Sequence, residues 1–342
     1  TDREKMEMER IKIAQIGVSH EHAAGKIITL RQMSDVYEIV GVVDDSATAA
    51  PKFPNGMEHF EGLRRMTEEE VFRYPGLQGV VVEVPNTELV PTAIRCMEHN
   101  LPMHLDKPAG EDLTLFGKLL DGCRAKNLPL QMGYMFRGNP AFQFCLKIVQ
   151  ENWLGDIFEV EADMNHSYGG EPYQEYLGRF KGGIMFNLGC HLIDFVVAMM
   201  GAPEHIMPFL KSTPDVSPAI KNNCMTVLEY PYATVILRCC SRGVLPRRRL
   251  KISGTKGWVE LCPLERFDDE ALLLKMSLTE DRGPYAAGNH VLDFGIRRDR
   301  YVEQLAELAG MIRGEIQNSY TYEHDYLVEK VLLAASGYTQ WR

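Results

Sequence analysis

The stretch IAQIGVSHEHAAGKI, residues 13–27, joins a β-branched apolar run to a segment compatible with a helix. This is the strand–turn–helix order with which nucleotide-binding α/β sheets begin. Such turns follow the pattern G-x-G-x-x-G: the first glycine makes the bend, the second lets backbone approach a pyrophosphate, and the third lets helix pack on strand. Gly17 fills the first position, whereas Ser19 and His22 stand in the second and third. Ser19 is small and adds a hydroxyl donor. His22 is bulky, so it must point away from the strand or hold the helix further off. His20 and His22 are also donors for a phosphate, and a helix N-terminus attracts anions whatever its side chains. From this stretch alone two readings stay open, a cofactor turn and a plain strand–helix turn with exposed histidines.

The sequence on either side decides in favour of a sheet. YEIVGVVD (37–44) is a second strand and ends on Asp44 and Asp45; a short unit follows at 66–73; LQGVVVEVP (77–85) is apolar on both faces, as a central parallel strand is. Helices are expected at 22–33, 88–99 and 111–126, with strands PMHLDKP between the last two and LPLQMGY (128–134) closing the series. The alternation predicts an α/β doubly wound parallel sheet of the Rossmann kind with right-handed crossovers. Asp44, at the end of the second strand, is placed to accept from adenosine ribose hydroxyls, and no arginine follows it to meet a 2'-phosphate, which favours NAD over NADP. Gly17, Ser19, His20, His22 and Asp44 are the cofactor-binding candidates of this region.

With 342 residues, two domains are expected, an NAD-binding domain at 1–134 and a substrate-binding, oligomerising α+β domain at 135–342. The formal net charge of −10 disfavours nucleic acid and anionic membranes as partners. The basic run PRRRLK (246–251) reads as a solvated strand edge. No apolar stretch reaches the roughly 20 residues of a bilayer span, and the polar start TDREKMEMER is unlike a signal peptide, so a cytoplasmic location is expected. Eight cysteines lack metal-ligand spacing and read as buried thiols in a reducing compartment; ten histidines show no H-E-x-x-H, so no metal is expected.

In LPMHLDKPAG, Lys107 comes at the C-terminal end of a predicted parallel strand, the edge at which open α/β sheets place ligands, and Pro108 ends the strand. The segment EVPNTELVPTAIRCMEHNLPMHLDKPAG (83–110) resembles the cofactor-domain signature of the glucose-fructose oxidoreductase / inositol dehydrogenase / rhizopine-catabolism (Gfo/Idh/MocA) family, T-P-N-x-x-H followed by a helix and E-K-P. Pro85, Asn86, Lys107 and Pro108 are kept; Val84, Leu89 and Asp106 replace the threonine, histidine and glutamate. The resemblance continues through GYMFRGNPAF (133–142), similar to Y-x-x-R-x-x-P, and through KGGIMFNLGCHLIDFVVAMMG (181–201), and it covers nearly the whole chain. It adds Pro85, Asn86, Lys107 and Pro108 to the cofactor-binding candidates.

In the second half, a glycine pair at 182–183 opens a predicted helix on which Asn187, His191 and Asp194 share one face at spacings of four and three. Amide, imidazole and carboxylate among apolar residues are costly to bury without partners. The family's segment reads G-G-G-x-x-x-D-x-G-x-H-x-x-D, and the resemblance implies that His191 is the acid–base, that Lys107 orients the substrate hydroxyl, and that Asn187 occupies the family's aspartate position. Substrate contacts are expected from Arg137, His166, Tyr168 and Asp194. Five strand-like runs follow, including a hairpin turn at GTKG (254–257), and predict a large mixed or antiparallel sheet with one face free for a dimer or tetramer. FGIRRDRYVEQLAELAGMIRG and YEHDYLVEKVLLAAS read as amphipathic helices, with His324 and Asp325 as capping and packing residues.

These features together imply an NAD-dependent oxidoreductase acting on a carbohydrate or polyol hydroxyl. An NAD-recycling oxidative glycosidase and a non-catalytic NAD- or sugar-binding regulator are the alternatives, the second because Ser19, His22 and Asn187 depart from the family pattern.

Overall fold

The computed structural model describes residues 9–47, 56–244 and 248–342. Two compact units emerge: the residues up to Gly133 with Tyr301–Tyr322, and Tyr134–Arg300 with Glu323–Arg342.

In the first unit, strands β1 (Ile11–Ile16), β2 (Tyr37–Val43), β3 (Arg65–Met66), β4 (Gly79–Val82), β5 (Met103–Leu105) and β6 (Leu130–Met132) form a sheet in the order β3-β2-β1-β4-β5-β6. Every pairing in it is parallel. This is the doubly wound order, with the direction of strand progression reversing between β1 and β4. The four residues of β4, GVVV, are all buried, because helices cover both faces of such a sheet. Helices α1 (Ala23–Gln32), α2 (Glu68–Phe72), α3 (Asn86–Glu98) and α4 (Leu113–Lys126) make the crossovers. Their limits follow local chemistry: Thr67 and Glu70 close a capping box on α2, and α4 starts at the Asp112 side chain and stops at Asn127 in the left-handed region.

The second unit holds helices α5 (Pro140–Gln150), α6 (Glu171–Leu177), α7 (Gly183–Asn187) and α8 (Cys190–Met200), and strands β7 (Ile157–Met164), β8 (His205–Lys211), β9 (Asn223–Glu229), β10 (Thr234–Cys240), β11 (Arg248–Gly254), β12 (Gly257–Leu261), β13 (Ala271–Leu278) and β14 (Gly288–Ile296). The sheet order is β14-β13-β12-β11-β7-β10-β9-β8, antiparallel except for β7 with β10. Thr255 and Lys256 form the two-residue hairpin between β11 and β12. Helices α9 (Val302–Ile312) and α10 (Tyr322–Ala335) complete the chain.

Three expectations need correction. Residues 301–322 belong with the first unit, not with one continuous domain at 135–342, because α9 buries Leu305, Leu308, Ala309 and Met311 in one core with Ile13, Ile27, Leu30, Tyr37 and Val42. That helix starts at Val302, not Phe294, because Gly288–Ile296 pairs along β13 as an edge strand. The basic run is not an edge: β11 lies between β7 and β12, and its charges are paired across the strands, Arg249 with Glu161 at 2.6 Å and Lys251 with Glu159 at 2.7 Å. Pro246 and Arg247 of that run, like most of the polar start, lie outside the described residues.

Candidate active site

The turn after β1 requires its glycine. Gly17 has φ +102°, and a Cβ there would lie 2.5 Å from the backbone carbonyl of Glu83. The two substituted positions do not aim their side chains as expected. Ser19 Oγ donates to Asp45 Oδ1 at 2.6 Å, and the Val18 N–H meets the same oxygen at 2.8 Å. Asp45, the second of the two acids that end this strand, therefore ties the end of β2 to the turn. Asp44 is exposed, bonds Ser46, and has Arg65 of β3 at 3.7 Å, so an arginine does reach this acid from the neighbouring strand.

His20 and His22 turn inward. The carboxylate of Asp106, directly after β5, lies 3.0 Å from His22 Nδ1, while His20 Nδ1 is 3.5 Å from Glu83 and 3.7 Å from Asp106. Behind them, Lys26 of α1 is fully buried: its ammonium bonds His104 Nε2, reaches Asp106 at 3.4 Å and Glu83 at 3.6 Å, and lies 4.5 Å from the centre of the Tyr301 ring. His104 Nδ1 meets Gln131 Oε1 at 2.8 Å, and the Gln131 amide in turn donates to Glu307 at 2.7 Å. This fixes the proton of His104 on Nδ1 and leaves Nε2 to accept from Lys26.

The charge states follow from this packing. Burial, and next the neighbouring Asp106, raise the Glu83 carboxyl well above the usual carboxylate range, which favours its neutral form. Burial works in the same sense on Asp106, but His22, Lys26 and His20 outweigh it and keep Asp106 ionised. Burial, then Lys26, push His104 down to about 3. Burial also lowers His22, against the pull of Asp106. Glu83, His104 and Asp106 present ligand atoms within 4.8 Å of one another, as do His20, His22 and Asp106. Lys26 already supplies the cation at the first group. Sequence reasoning misses Lys26, Glu83 and His104; the signal available is a polar residue inside or at the end of each otherwise apolar element.

Lys107 is 1% exposed. Its N–H donates to Asp106 Oδ1 at 2.7 Å, its carbonyl accepts from Asn86 Nδ2 at 3.2 Å, and its ammonium lies 3.5 Å from Glu21. Pro85 precedes α3 at its N-cap, which sets Asn86 at the first helical position, and Pro108 follows Lys107. Pro85, Asn86, Lys107 and Pro108 therefore meet at adjoining strand ends.

In the second unit the single helix expected for Asn187, His191 and Asp194 is two. Helix α7 ends at Asn187, where Leu188 and Gly189 both bond back to the Ile184 carbonyl, and α8 begins at Cys190. His191 and Asp194 thus share α8, while Asn187 is set off from them and accepts from the Tyr176 hydroxyl at 2.8 Å. The glycine pair that opens α7 is needed there: Gly183 has φ +51°, and a Cβ would be 1.9 Å from the Lys221 carbonyl oxygen. His191 is buried, and its Nδ1 accepts the Met135 N–H at 3.3 Å. In that tautomer Nε2 carries the hydrogen.

Arg137 and Asp194 are engaged with each other. The guanidinium grips Asp194 at 2.6 Å and Asp325 at 2.6 Å, and His324 Nε2 meets Asp194 at 3.0 Å. His324 and Asp325 are thus members of this ion network rather than helix caps. Arg137 and His324 hold Asp194 below the usual range against burial, while burial raises Asp325. His166 lies beyond the end of β7, buried and stacked on the exposed Tyr168 at 3.6 Å between ring centres; the Tyr168 hydroxyl accepts from Arg248 at 3.0 Å. All eight cysteines are free thiols. No helix among the described residues is long and apolar enough to cross a membrane.

A doubly wound parallel sheet followed by a unit with an eight-stranded mixed sheet is the architecture of several oxidoreductases of known structure. The chain is similar in fold to GenD2 from gentamicin A biosynthesis in complex with NAD (TM-score 0.78, 16% identity, covering 100% of this chain and 99% of that one). It is similar too to aldose-aldose oxidoreductase from Caulobacter crescentus complexed with glycerol (TM-score 0.77, 18% identity, covering 96% and 97%). In sequence it is 21% identical to trans-1,2-dihydrobenzene-1,2-diol dehydrogenase of Sus scrofa over 204 residues, 58% of this chain and 60% of that enzyme. Residues 142–260 match the GFO/IDH/MocA C-terminal domain, the family that the motifs of the chain resemble.

Proposed function

We propose that the chain is an NAD-dependent oxidoreductase that transfers a hydride between the nicotinamide and a carbohydrate or polyol hydroxyl carbon. The observation that carries this reading is the convergence of three features at the C-terminal ends of one parallel sheet: the glycine-only turn after β1, the exposed Asp44 after β2, and the buried Lys107 after β5. These residues fit a dinucleotide. The turn at Gly17 permits the close backbone approach a pyrophosphate needs, and Asp44 is open enough to accept from a ribose. When bound, the nicotinamide accepts or supplies the hydride.

The chain's own groups handle the oxygen. Lys107 orients the hydroxyl and stabilises the alkoxide that develops on it, an electrostatic contribution concentrated in the transition state. His191 is the acid–base group. Its contact with Met135 leaves Nε2–H as the hydrogen that the ring can offer, and accepting a proton at Nε2 means surrendering that contact. Asn187, in the family's aspartate position, brings no charge. Arg137 and Asp194 position α8, and His166 and Tyr168 lie at the end of β7 where a substrate is to be contacted. Arg65 beside Asp44 supports a second reading of the cofactor as NADP, since an arginine there suits a 2'-phosphate. A homo-oligomer of this chain would use exposed apolar residues of the eight-stranded sheet such as Met207, Phe209 and Trp258.

Calorimetric titration with NAD and NADP, followed by a screen of sugars and polyols with Lys107→Met alongside, tests the reading. Expected are binding of one cofactor and a loss of kcat/KM of about a hundredfold or more in the variant, with cofactor affinity little changed. Failure of both cofactors to bind, or wild-type turnover by the variant, would overturn it.

A further inference from the structure

Two departures of this chain from its family pattern, His22 in the place of the third glycine and Asp106 in the place of the glutamate of E-K-P, are each other's partners: His22 Nδ1 lies 3.0 Å from both carboxylate oxygens of Asp106. A carboxylate only accepts, so Nδ1 carries the hydrogen and Nε2 is the nitrogen open to protonation. That nitrogen lies 3.7 Å from Glu21 Oε1, and the same oxygen lies 3.5 Å from Nζ of Lys107. Side-chain exposure rises along this series from 1% at Lys107 through 13% at Glu21 to 19% at His22, whereas Asp106 is at 0%. A buried lysine, then a carboxylate and an imidazole that are both part-buried, the imidazole oriented by a buried acid, form a path of rising exposure.

We propose that Glu21 and His22, oriented by Asp106, are a proton relay through which Lys107 exchanges a proton with solvent, making Lys107 a second acid–base group in addition to His191. The proposal rests on Lys107 acting on the substrate oxygen. In the reducing direction a proton enters from water at His22 Nε2, passes to the Glu21 carboxylate and then to the Lys107 amine, and the ammonium gives one proton to the carbonyl oxygen. The hydride, with its two electrons, comes from the reduced nicotinamide, so C=O, one hydride and one proton give the hydroxyl. Oxidation runs the same steps backwards. The arrangement also suits His191, whose Nε2–H in the tautomer set by Met135 offers a hydrogen bond rather than a vacant lone pair.

The groups facing His22 are His20 and Glu21 of the turn, Asp106 and Lys107 beyond β5, Lys26 of α1 and His104 of β5 through Asp106, and the ring of Tyr301 at 6.2 Å between centres. The test follows His22 by NMR titration of ring-labelled histidine, assigned by His22→Gln, in the full chain. Removing the like charge in Lys107→Met should raise the His22 midpoint by roughly half a pH unit or more, and removing the opposite charge in Glu21→Gln should lower it. Kinetically, Glu21→Gln and His22→Gln should cost about tenfold or more in kcat, with NAD affinity unchanged and activity partly restored by added imidazole in His22→Gln. A His22 midpoint indifferent to both charge changes overturns the relay whether or not a substrate has been found. Full activity of Glu21→Gln and His22→Gln beside an inactive Lys107→Met overturns the relay and leaves the oxidoreductase standing. Wild-type turnover by Lys107→Met instead removes the role of Lys107 itself.

Discussion

Lys26→Met probes the buried cluster beneath the cofactor turn most directly. Lys26 is at 0% exposure with its ammonium between Asp106 at 3.4 Å and Glu83 at 3.6 Å. Burial and Asp106 favour the neutral form of Glu83, and Asp106 is the carboxylate that the ammonium chiefly balances. Methionine preserves most of the volume and removes the charge, so the expected loss is that of breaking a buried ion pair by one partner, about 3–5 kcal/mol, with about 1 kcal/mol more for the hydrogen bond to His104. At roughly 2–4 °C per kcal/mol for a domain of this size, the melting temperature should fall by on the order of 10 °C. Acid should narrow the gap. Asp106 has its folded pKa depressed in the wild type, so its contribution is present above the unfolded value and disappears as pH falls through the folded one, whereas in the variant its pKa rises. Adding Asp106→Asn to Lys26→Met should return a large part of the loss, since no unpaired charge then remains. Equilibrium urea unfolding at neutral pH, backed by calorimetric melting, measures this. A loss below about 1 kcal/mol at neutral pH would refute the reasoning.

Two other outcomes follow from the same geometry. His104, held down to about 3, is neutral in the fold while the unfolded chain binds a proton below its ordinary value of 6.5; stability from this residue is therefore lost as pH falls through that window, and His104→Gln should flatten the wild-type decline between pH 6.5 and 5 by about 2 kcal/mol in urea titrations. An unchanged slope would contradict it. Gly17→Ala puts a methyl 2.5 Å from the Glu83 carbonyl at a positive φ, so it should destabilise by about 2 kcal/mol or more and abolish detectable cofactor binding by calorimetry; wild-type affinity in a folded variant would argue that the turn does not carry the site.

Much is legible from local pattern. Apolar runs with alternating helices predict the parallel sheet because a strand buried on both faces has to be apolar throughout, and GVVV of β4 is such a run. The turn residues of the β11–β12 hairpin and the glycine pair at the start of α7 are legible because only a few residue types adopt those backbones. Family-like motifs pick out Lys107, Asn86 and His191 as positions along the chain, without the groups that each of them meets.

What the sequence by itself determined is the order of elements, the doubly wound sheet and the residue types offered at its strand ends, since these depend on spacing and propensity over a few residues. Only the tertiary structure decided which of these residues meet. It returned α9 to the first unit, gave Ser19 to Asp45 and His22 to Asp106, closed Arg137 and Asp194 into a network with Asp325 and His324, and buried Lys26 among groups 57 to 80 positions away in the chain, Glu83 and Asp106 among them. Charge pairing in an interior depends on distances of a few ångströms between elements remote in sequence, and no local spacing encodes those distances.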